Sequence, residues 1–366
     1  MKATLTKLVG ISGLVLCAST ALAQEPYPFV STPVAEFNEP WAMEFLPDGR
    51  ILVTEKGGTI QLVTQDGAKT QVAGAPTVDY FFQGGLGDIV LHPDFARNNT
   101  IYVSYVEAGP NETRGAVVAR GTLNLARPAI ENLNVIWRAD PKVDQGLHFS
   151  HRIAFDSEGL MYVSSGERNK MDPAQDVNSS LGKIVRLNDD GTPAAGNPFA
   201  SQGGKAAEVW SLGHRNPLGI AFDPQGRLWN VEMAPRGGDE LNLVKAGANY
   251  GYPIVSEGIH YDGKYIPDHA TDSRFEAPKV WWNPVISPSS LMFYTGDKFS
   301  AWSGNAFIGG LSSMSIIRVA VNGENASEAQ RFVMGKRIRA LEQSPDGYIW
   351  ALEDGAGGRL LKLTPR

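Results

Sequence analysis

The chain has 366 residues, 42% of them hydrophobic and 20% charged, with 40 glycines, 23 prolines and a net charge of −6. That apolar share with so little net charge excludes a disordered chain, and glycines without a three-residue period exclude a collagen-like one. The mild, dispersed acidity argues against nucleic acid as a partner, and no segment after the N-terminal apolar run is long enough to cross a bilayer.

In chain order, the first element reads as a cleavable secretory leader over residues 1–23. Lys2 and Lys7 precede the apolar run Leu8 to Leu22, and Ala21-Leu22-Ala23 fits a small-x-small cleavage site before Gln24. Leu16 ahead of Cys17 argues against a lipoprotein. Cys17 is the only cysteine and leaves with the leader, so the exported chain uses no disulfide or thiol chemistry. Removing the two lysines takes the net charge to −8. The expectation is a periplasmic protein without membrane insertion, with residues 24–366 forming one domain.

That domain carries almost no helical periodicity. An apolar strand, a Pro/Ser-Asp-Gly turn or a relative of it, and a second strand recur. The copies run Ala42–Gly49 before Ile51–Val53, Ile89–Asp94 before Ile101–Val103, Ile153–Gly159 before Met161–Val163, Ile220–Gly226 before Leu228-Trp229, and Leu341–Gly347 before Ile349–Ala351. A weaker copy is Leu291–Asp297 before Asn305–Ile308. Third strands are visible in Lys183–Leu187 and Arg359–Leu363. Six copies predict an all-β, six-bladed β-propeller with four-stranded antiparallel blades. An N-terminal strand near Phe29 is expected to close the ring with the last blade. The alternative is an open β-sandwich with accidental turn similarity. A propeller does not fix function; its channel-mouth loops do.

Those loops carry the candidate chemistry. Gln83-Gly84-Gly85 opens the second copy and presents Gln83 at the mouth. Gly146-Leu147-His148-Phe149-Ser150-His151-Arg152 opens the third; if extended, His148, Ser150 and Arg152 share one face and His151 takes the other. His148 is a candidate general base. Gly213-His214-Arg215-Asn216-Pro217 offers a guanidinium fork beside an amide. Arg337 and Arg339, two apart at the start of the last blade's inner strand, share a face and need an anion; the plain alternative is an edge strand protected by charge. The loop Ala234–Asn242, with Gly247–Pro253 after it, joins carboxylates to exposed carbonyls and suits Ca²⁺. Zinc is not expected without cysteine or clustered histidine.

Taken together, His-Arg-Asn-Pro at 214–217, Glu240-Leu241-Asn242 with Asn249-Tyr250-Gly251, Leu147-His148, and Arg337-Ile338-Arg339 followed by Ser344-Pro345-Asp346-Gly347 resemble the soluble PQQ-dependent glucose/sorbosone dehydrogenase family, in its periplasmic aldose sugar dehydrogenase branch. The resemblance runs from about Val30 to Pro365. It implies pyrroloquinoline quinone (PQQ) at the mouth beside calcium, and oxidation of an aldose at C1 to an aldonolactone. His148 would take the anomeric proton while hydride passes to the quinone, which calcium would polarise. Electrons would then leave to an external acceptor of unknown identity. Carried over by position, Arg215, Asn216, Arg337 and Arg339 hold PQQ, and Gln83 meets substrate or cofactor. Ser312, Ser313 and Met314 fall at a further cofactor contact, and Tyr261 is a channel-side aromatic. The carbonyls of Ala234 and Pro235 face the catalytic calcium, and Glu240 and Tyr250 match a structural calcium. The chain departs from the glucose enzymes at Leu147 (an acid there), at Leu311–Met314 (a lysine there) and at Met233 (a glutamine there). Losing the acid relaxes selectivity among aldoses. Competing readings are a calcium-dependent, lactonase-like propeller hydrolase and a non-catalytic sugar- or protein-binding propeller. The chain would work as a monomer or homodimer.

Overall fold

The computed structural model describes residues 27–366; the expected leader and its cleavage site lie outside the described residues. The chain forms six four-stranded antiparallel sheets. The innermost strands of blades 1 to 6 are Pro40–Phe45, Leu86–Leu91, Ser150–Phe155, Pro217–Phe222, Pro288–Phe293 and Ile338–Gln343. They adjoin one another in a ring around a central channel. Phe29–Asn38 pairs antiparallel with Ala356–Pro365 in blade 6, Phe29 opposite Pro365, so strands from the two ends of the described chain fasten the ring.

The recurring turn explains the recurring blade. In the Pro47-Asp48-Gly49 turn, the Gly49 N–H donates to the Leu46 carbonyl (2.9 Å) and Asp48 Oδ1 accepts the Arg50 N–H (3.0 Å). Gly49 has φ +85°, and the equivalent Gly159, Gly226 and Gly347 have +81°, +75° and +85°, a region a side chain disfavours. In blade 5 the turn is replaced by a longer connection containing a 3₁₀ turn at Ser300–Trp302, which is why that copy is weak in the sequence.

Blades bury their faces against one another. There are six apolar clusters, one at each seam. Met43 and Phe45 of blade 1 pack on Trp350 and Leu352 of blade 6, and Tyr162 and Ile184 of blade 3 pack on Ile220 and Leu228 of blade 4. Each fully buried Leu, Ile, Val or Phe contributes about 1.5–3 kcal/mol.

A second regularity was not foreseen. Every innermost strand has a register shift at its entry: Pro40/Ala42, Leu86/Ile89, Ser150/Ile153, Pro217/Gly219, Pro288/Ser290 and Ile338/Ala340. These bulges bend each strand where it reaches the mouth and re-aim the side chains there. The expected sharing of one face by His148, Ser150 and Arg152 is therefore overturned. His148, Ser150 and His151 have φ of +51°, +58° and +55°, and the alternation breaks.

Arg152 instead points into the channel and crosses it. Its Nε donates to the Leu218 carbonyl (2.8 Å), Nη2 to the Ser289 carbonyl (2.7 Å) and Nη1 to Asp88 Oδ1 (3.0 Å). Its guanidinium lies 3.9 Å from the centroid of the Trp41 ring. Blades 1 to 5 thus meet at one side chain. Burial pushes Asp88 up and Arg152 down from their usual pKa ranges, and each partly offsets the shift of the other. Arg152→Ala leaves Asp88 buried and unpaired, and is expected to destabilise the fold by about 3–5 kcal/mol. Chemical denaturation checks this; a loss within error of zero would remove Arg152 as the fastener.

Candidate active site at the channel mouth

Above Arg152 the channel opens into a cavity of about 450 Å³, lined among others by Trp41, Lys56, Phe82, Gln83, Met233, Arg337, Arg339 and Asp354. Phe149, Ser150 and His151 supply one wall. His151 does not face a ligand as a base: it stacks on Trp41 with centroids 5.0 Å apart, its Nδ1 lies 2.8 Å from Ser104 Oγ, and burial pushes its pKa down to about 3.

His148 stands at the entrance to this wall and is 6% exposed. Its backbone N–H donates to Gln83 Oε1 (2.9 Å), so the two candidate residues meet. Its Nδ1 is bonded to Glu167 Oε1. Burial lowers the His148 pKa, and Glu167 only partly restores it, so the ring is neutral at neutral pH. Burial raises the pKa of Glu167, but the bonds from His148 and from the Met171 N–H (2.6 Å) outweigh it and hold the carboxyl below its usual range. A carboxylate on Nδ1 leaves the proton there and the lone pair on Nε2. Beside Glu167, Arg168 threads under the loop. It donates to the carbonyls of Leu147 and Arg114 (2.8 Å each) and of Gln145, and stacks 3.7 Å over Phe149. Burial lowers its pKa to about 9.

The Arg215-Asn216 pair is set by buried His214, which bonds Ser211 Oγ (2.9 Å) and Glu232 Oε1 (2.9 Å) and stacks on Tyr250. Glu232 Oε2 accepts the Arg215 N–H (2.7 Å). Arg215 Nη1 donates to the carbonyls of Met233 (2.9 Å) and Ala234 (2.8 Å). Asn216 Oδ1 accepts from Ser150 Oγ (2.9 Å). Two donors of the pair, Arg215 Nε and Asn216 Nδ2, are buried without a partner. Orphaned buried donors are rare and call for an acceptor.

Arg337 and Arg339 do share the mouth, but the anion they require is already partly supplied. Asp354 accepts from Arg337 Nε through Oδ2 (2.6 Å) and from Arg339 Nε through Oδ1 (2.7 Å). Arg337 lies just outside the strand, which starts at Ile338. Lys56, not foreseen, adds a cation to the same wall and donates to the Phe82 carbonyl (2.7 Å).

Other expected residues stand further off. In blade 5 it is Leu311 that lines the cavity. Ser312 and Ser313 hydrogen-bond the carbonyls of Val285 (3.2 Å) and Ile286 (3.4 Å), and Met314 is half-exposed. Tyr261 is largely exposed, with its hydroxyl 3.5 Å from Arg215 Nη2. Tyr261 and Pro235 line an adjoining groove that shares Met233 with the mouth. The Ala234 carbonyl accepts one bond from Arg215, which leaves its second lone pair for a cation. The loop is tied down by Asp239, which accepts the N–H groups of Ala234 (3.0 Å), Ile286 (2.8 Å) and Ser287 (2.6 Å); burial raises its pKa to about 6.

Glu240 and Tyr250 line a small space of about 10 Å³ with Glu232, Ala234 and Ser256. The Tyr250 hydroxyl is spent: it donates to the Leu243 carbonyl (2.6 Å) and accepts the Lys245 N–H (2.9 Å). Burial and the neighbouring Glu232 carboxylate push the Glu240 pKa well up, a penalty that a bound cation would relieve. Among the described residues no three His, Cys, Asp or Glu side chains form a metal cluster, so carbonyl and hydroxyl oxygens would have to complete any such site.

Glu167, Arg168, Lys56 and Asp354 went unread in the sequence, and Asp239, read there as one of the loop's carboxylates, serves to tie the loop down. A signal existed for three of them: Glu167 and Arg168 follow the apolar strand Met161–Ser165 after Gly166, and Asp354 directly follows the strand Ile349–Glu353, positions where a propeller exposes residues at its mouth.

Comparison with known proteins then places the chain. The glucose/sorbosone dehydrogenase family model matches residues 37–362. The chain is 38% identical to aldose sugar dehydrogenase YliI of Escherichia coli, over 96% of this chain and 97% of that protein. The apo-form crystal structure of the soluble aldose sugar dehydrogenase of E. coli superposes with a TM-score of 0.89 at 37% identity, covering 92% of this chain and all of the other. The PQQ-bound aldose sugar dehydrogenase of Streptomyces coelicolor superposes with a TM-score of 0.78 at 28% identity, covering 93% and 99%. A propeller mouth lined by three cations, with a carboxylate-held histidine and two unsatisfied buried donors beside it, together with a family match across nearly the whole described chain, makes this protein a member of the glucose/sorbosone dehydrogenase family.

Proposed function

We propose that this protein is a PQQ- and calcium-dependent aldose sugar dehydrogenase that oxidises a range of aldoses at C1 to aldonolactones. The observation that carries the reading is the pair of buried, partnerless donors, Arg215 Nε and Asn216 Nδ2, next to the His148–Glu167 pair. Carboxylate and carbonyl oxygens are the acceptors such donors lack, and PQQ is a tricarboxylate with quinone carbonyls. When bound, PQQ supplies a two-electron acceptor for the hydride of C1.

The chain's own residues do the rest. Arg337 and Arg339, held parallel by Asp354, would present their remaining N–H groups to carboxylates without having to be ordered first. Gln83 fixes the His148 backbone. His148 would take the anomeric proton at Nε2, and Glu167 would stabilise the resulting imidazolium. A calcium ion at the Ala234–Pro235 loop and a second beside Glu240 and Tyr250 are part of the same proposal. So is export to the periplasm after loss of residues 1–23, where an external acceptor would collect the electrons. Among the described residues no helix is long and apolar enough to cross a membrane.

Purified apo-protein with Ca²⁺, aldoses and an electron-accepting dye is expected to reduce the dye only when PQQ is added. Dye reduction without PQQ, or none with it, would overturn the reading. In the same material Arg337→Ala should weaken the PQQ titration by about tenfold or more, the loss of one charge-assisted contact. The acid limb of kcat/KM should lie below pH 6.5, because burial depresses the His148 pKa and the base stays neutral further into acid. Glu167→Gln removes the interactions that raise that pKa, so the limb should move to still lower pH while kcat drops; a limb moving to higher pH would contradict the pairing. Removing divalent cations with a chelator should lower Tm, and Glu240→Gln should shrink that shift. Equal shifts in both proteins would remove Glu240 from cation binding.

A further inference from the structure

The segment Asp79–Gln83 runs along the rim of the mouth, and nearly all of it is anchored. Asp79 Oδ2 accepts from Arg114 Nε (2.8 Å), and its N–H donates to the Val106 carbonyl (2.8 Å). The Tyr80 hydroxyl bonds Glu39, and the Arg114 guanidinium lies 4.2 Å over the Phe81 ring. The Gln83 N–H donates to the Gly146 carbonyl (3.0 Å) while its side chain holds His148. Lys56 grips the Phe82 carbonyl.

The exception is the Phe82 side chain. It is 70% exposed, and among the described residues its ring makes no aromatic or cation contact. Its backbone has φ +55°, a left-handed conformation that is an outlier for a bulky residue. A rim that only had to turn here would be served by glycine. A strained backbone and an exposed aromatic coincide at a residue lining the cavity beside Gln83, and strain of this kind gathers at binding sites. Leu218, Met233 and Leu311 add apolar lining to the same cavity, whose polar groups include Glu39, Lys56, Gln83 and Asp354.

We propose that Phe82 is a specificity-determining residue, a platform carried on an anchored backbone for the apolar C–H face of an aldopyranose beyond its reacting carbon. This rests on the aldose dehydrogenase reading above. In a β-aldopyranose the axial C1 hydrogen that is transferred lies on one face with H3 and H5, and an all-equatorial sugar shows axial H2 and H4 on the opposite face, the one left for Phe82; an axial hydroxyl at C2 or C4 replaces a C–H on that face. Phe82 therefore favours the all-equatorial sugar over its 2- and 4-epimers, and adds selection by shape to the polar groups of the lining.

The test compares wild type, Phe82→Gly and Phe82→Tyr as PQQ-loaded holoenzymes on glucose and its 2- and 4-epimers, with KM measured for both sugar and dye. Tm of the apo-proteins and saturation-transfer NMR of glucose on them give readouts independent of turnover. Phe82→Gly is expected to lower kcat/KM for glucose about tenfold through KM, the size of one good aromatic contact. It should lower it less for the epimers, weaken the NMR transfer, and leave Tm unchanged or higher because strain is released. Phe82→Tyr should restore glucose kinetics. Unchanged sugar kinetics, a change confined to the KM of the dye, or a fall in Tm that accounts for the lost activity would each overturn the proposal. A wild type inactive on every aldose would overturn the underlying reading as well, whereas an active wild type with indifferent Phe82 variants overturns this inference alone.

Discussion

A single buried guanidinium organises this molecule. Arg152 reaches across the channel to Trp41, Asp88, Leu218 and Ser289, so that blades 1 to 5 share one cation. Burying it is unfavourable, and only the full set of partners offsets that. Its position also divides the channel. Above it lies the mouth cavity; below lies a second space of about 350 Å³ lined by Glu44, Asp88 and Glu342. Burial raises the pKa of all three carboxyls, that of Glu342 to about 7. Lys56, Arg337 and Arg339 line the upper space together with Glu39 and Asp354, whereas the lower space sets three carboxyls beside Arg152.

The mouth is built by supporting pairs more than by exposed single groups. Glu167 orients His148, Glu232 orients His214 and the Arg215 backbone, and Asp354 orients Arg337 and Arg339. Each carboxylate spends its charge on holding a cation or an imidazole in place, which is how a site is pre-organised before its ligand arrives. Among the buried side-chain atoms that the scaffold leaves unpartnered, the donors on Arg215 and Asn216 are the two that follow His214 in the loop before the blade 4 inner strand. Phe82 follows the same logic on the apolar side, presented by neighbours that are themselves immobilised.

The blades and the outline of the site were legible in the sequence for one reason: both rest on local chemistry. A tight turn of this kind needs a left-handed φ whatever surrounds it, met by glycine in four copies and by Asn99 after a short helical turn in the second, so five of the six copies could be read directly, and the sixth was faint because a 3₁₀ turn replaces the tight one. Gln83, His148, Arg215 and Asn216 lie in loops immediately before inner strands, where the repeat itself marks the mouth. What failed was the extrapolation of strand alternation into Ser150–Arg152. Period-two reasoning holds only while the ladder is regular, and every inner strand is bulged at that point.

The sequence by itself thus determined the number of blades, the order of the loops and which residue types stand at the mouth, because turns and alternating strands are encoded over a few neighbouring positions. Only the tertiary structure decided how those residues are used. Glu167 reaches His148 across 19 positions, Asp354 reaches Arg337 across 17, and Arg152 meets Ser289 across 137. Such partners are chosen by the closure of the ring and by the six bulges, which aim side chains from different blades at one another. A buried charge takes whichever partner that geometry delivers, and no local pattern records the choice.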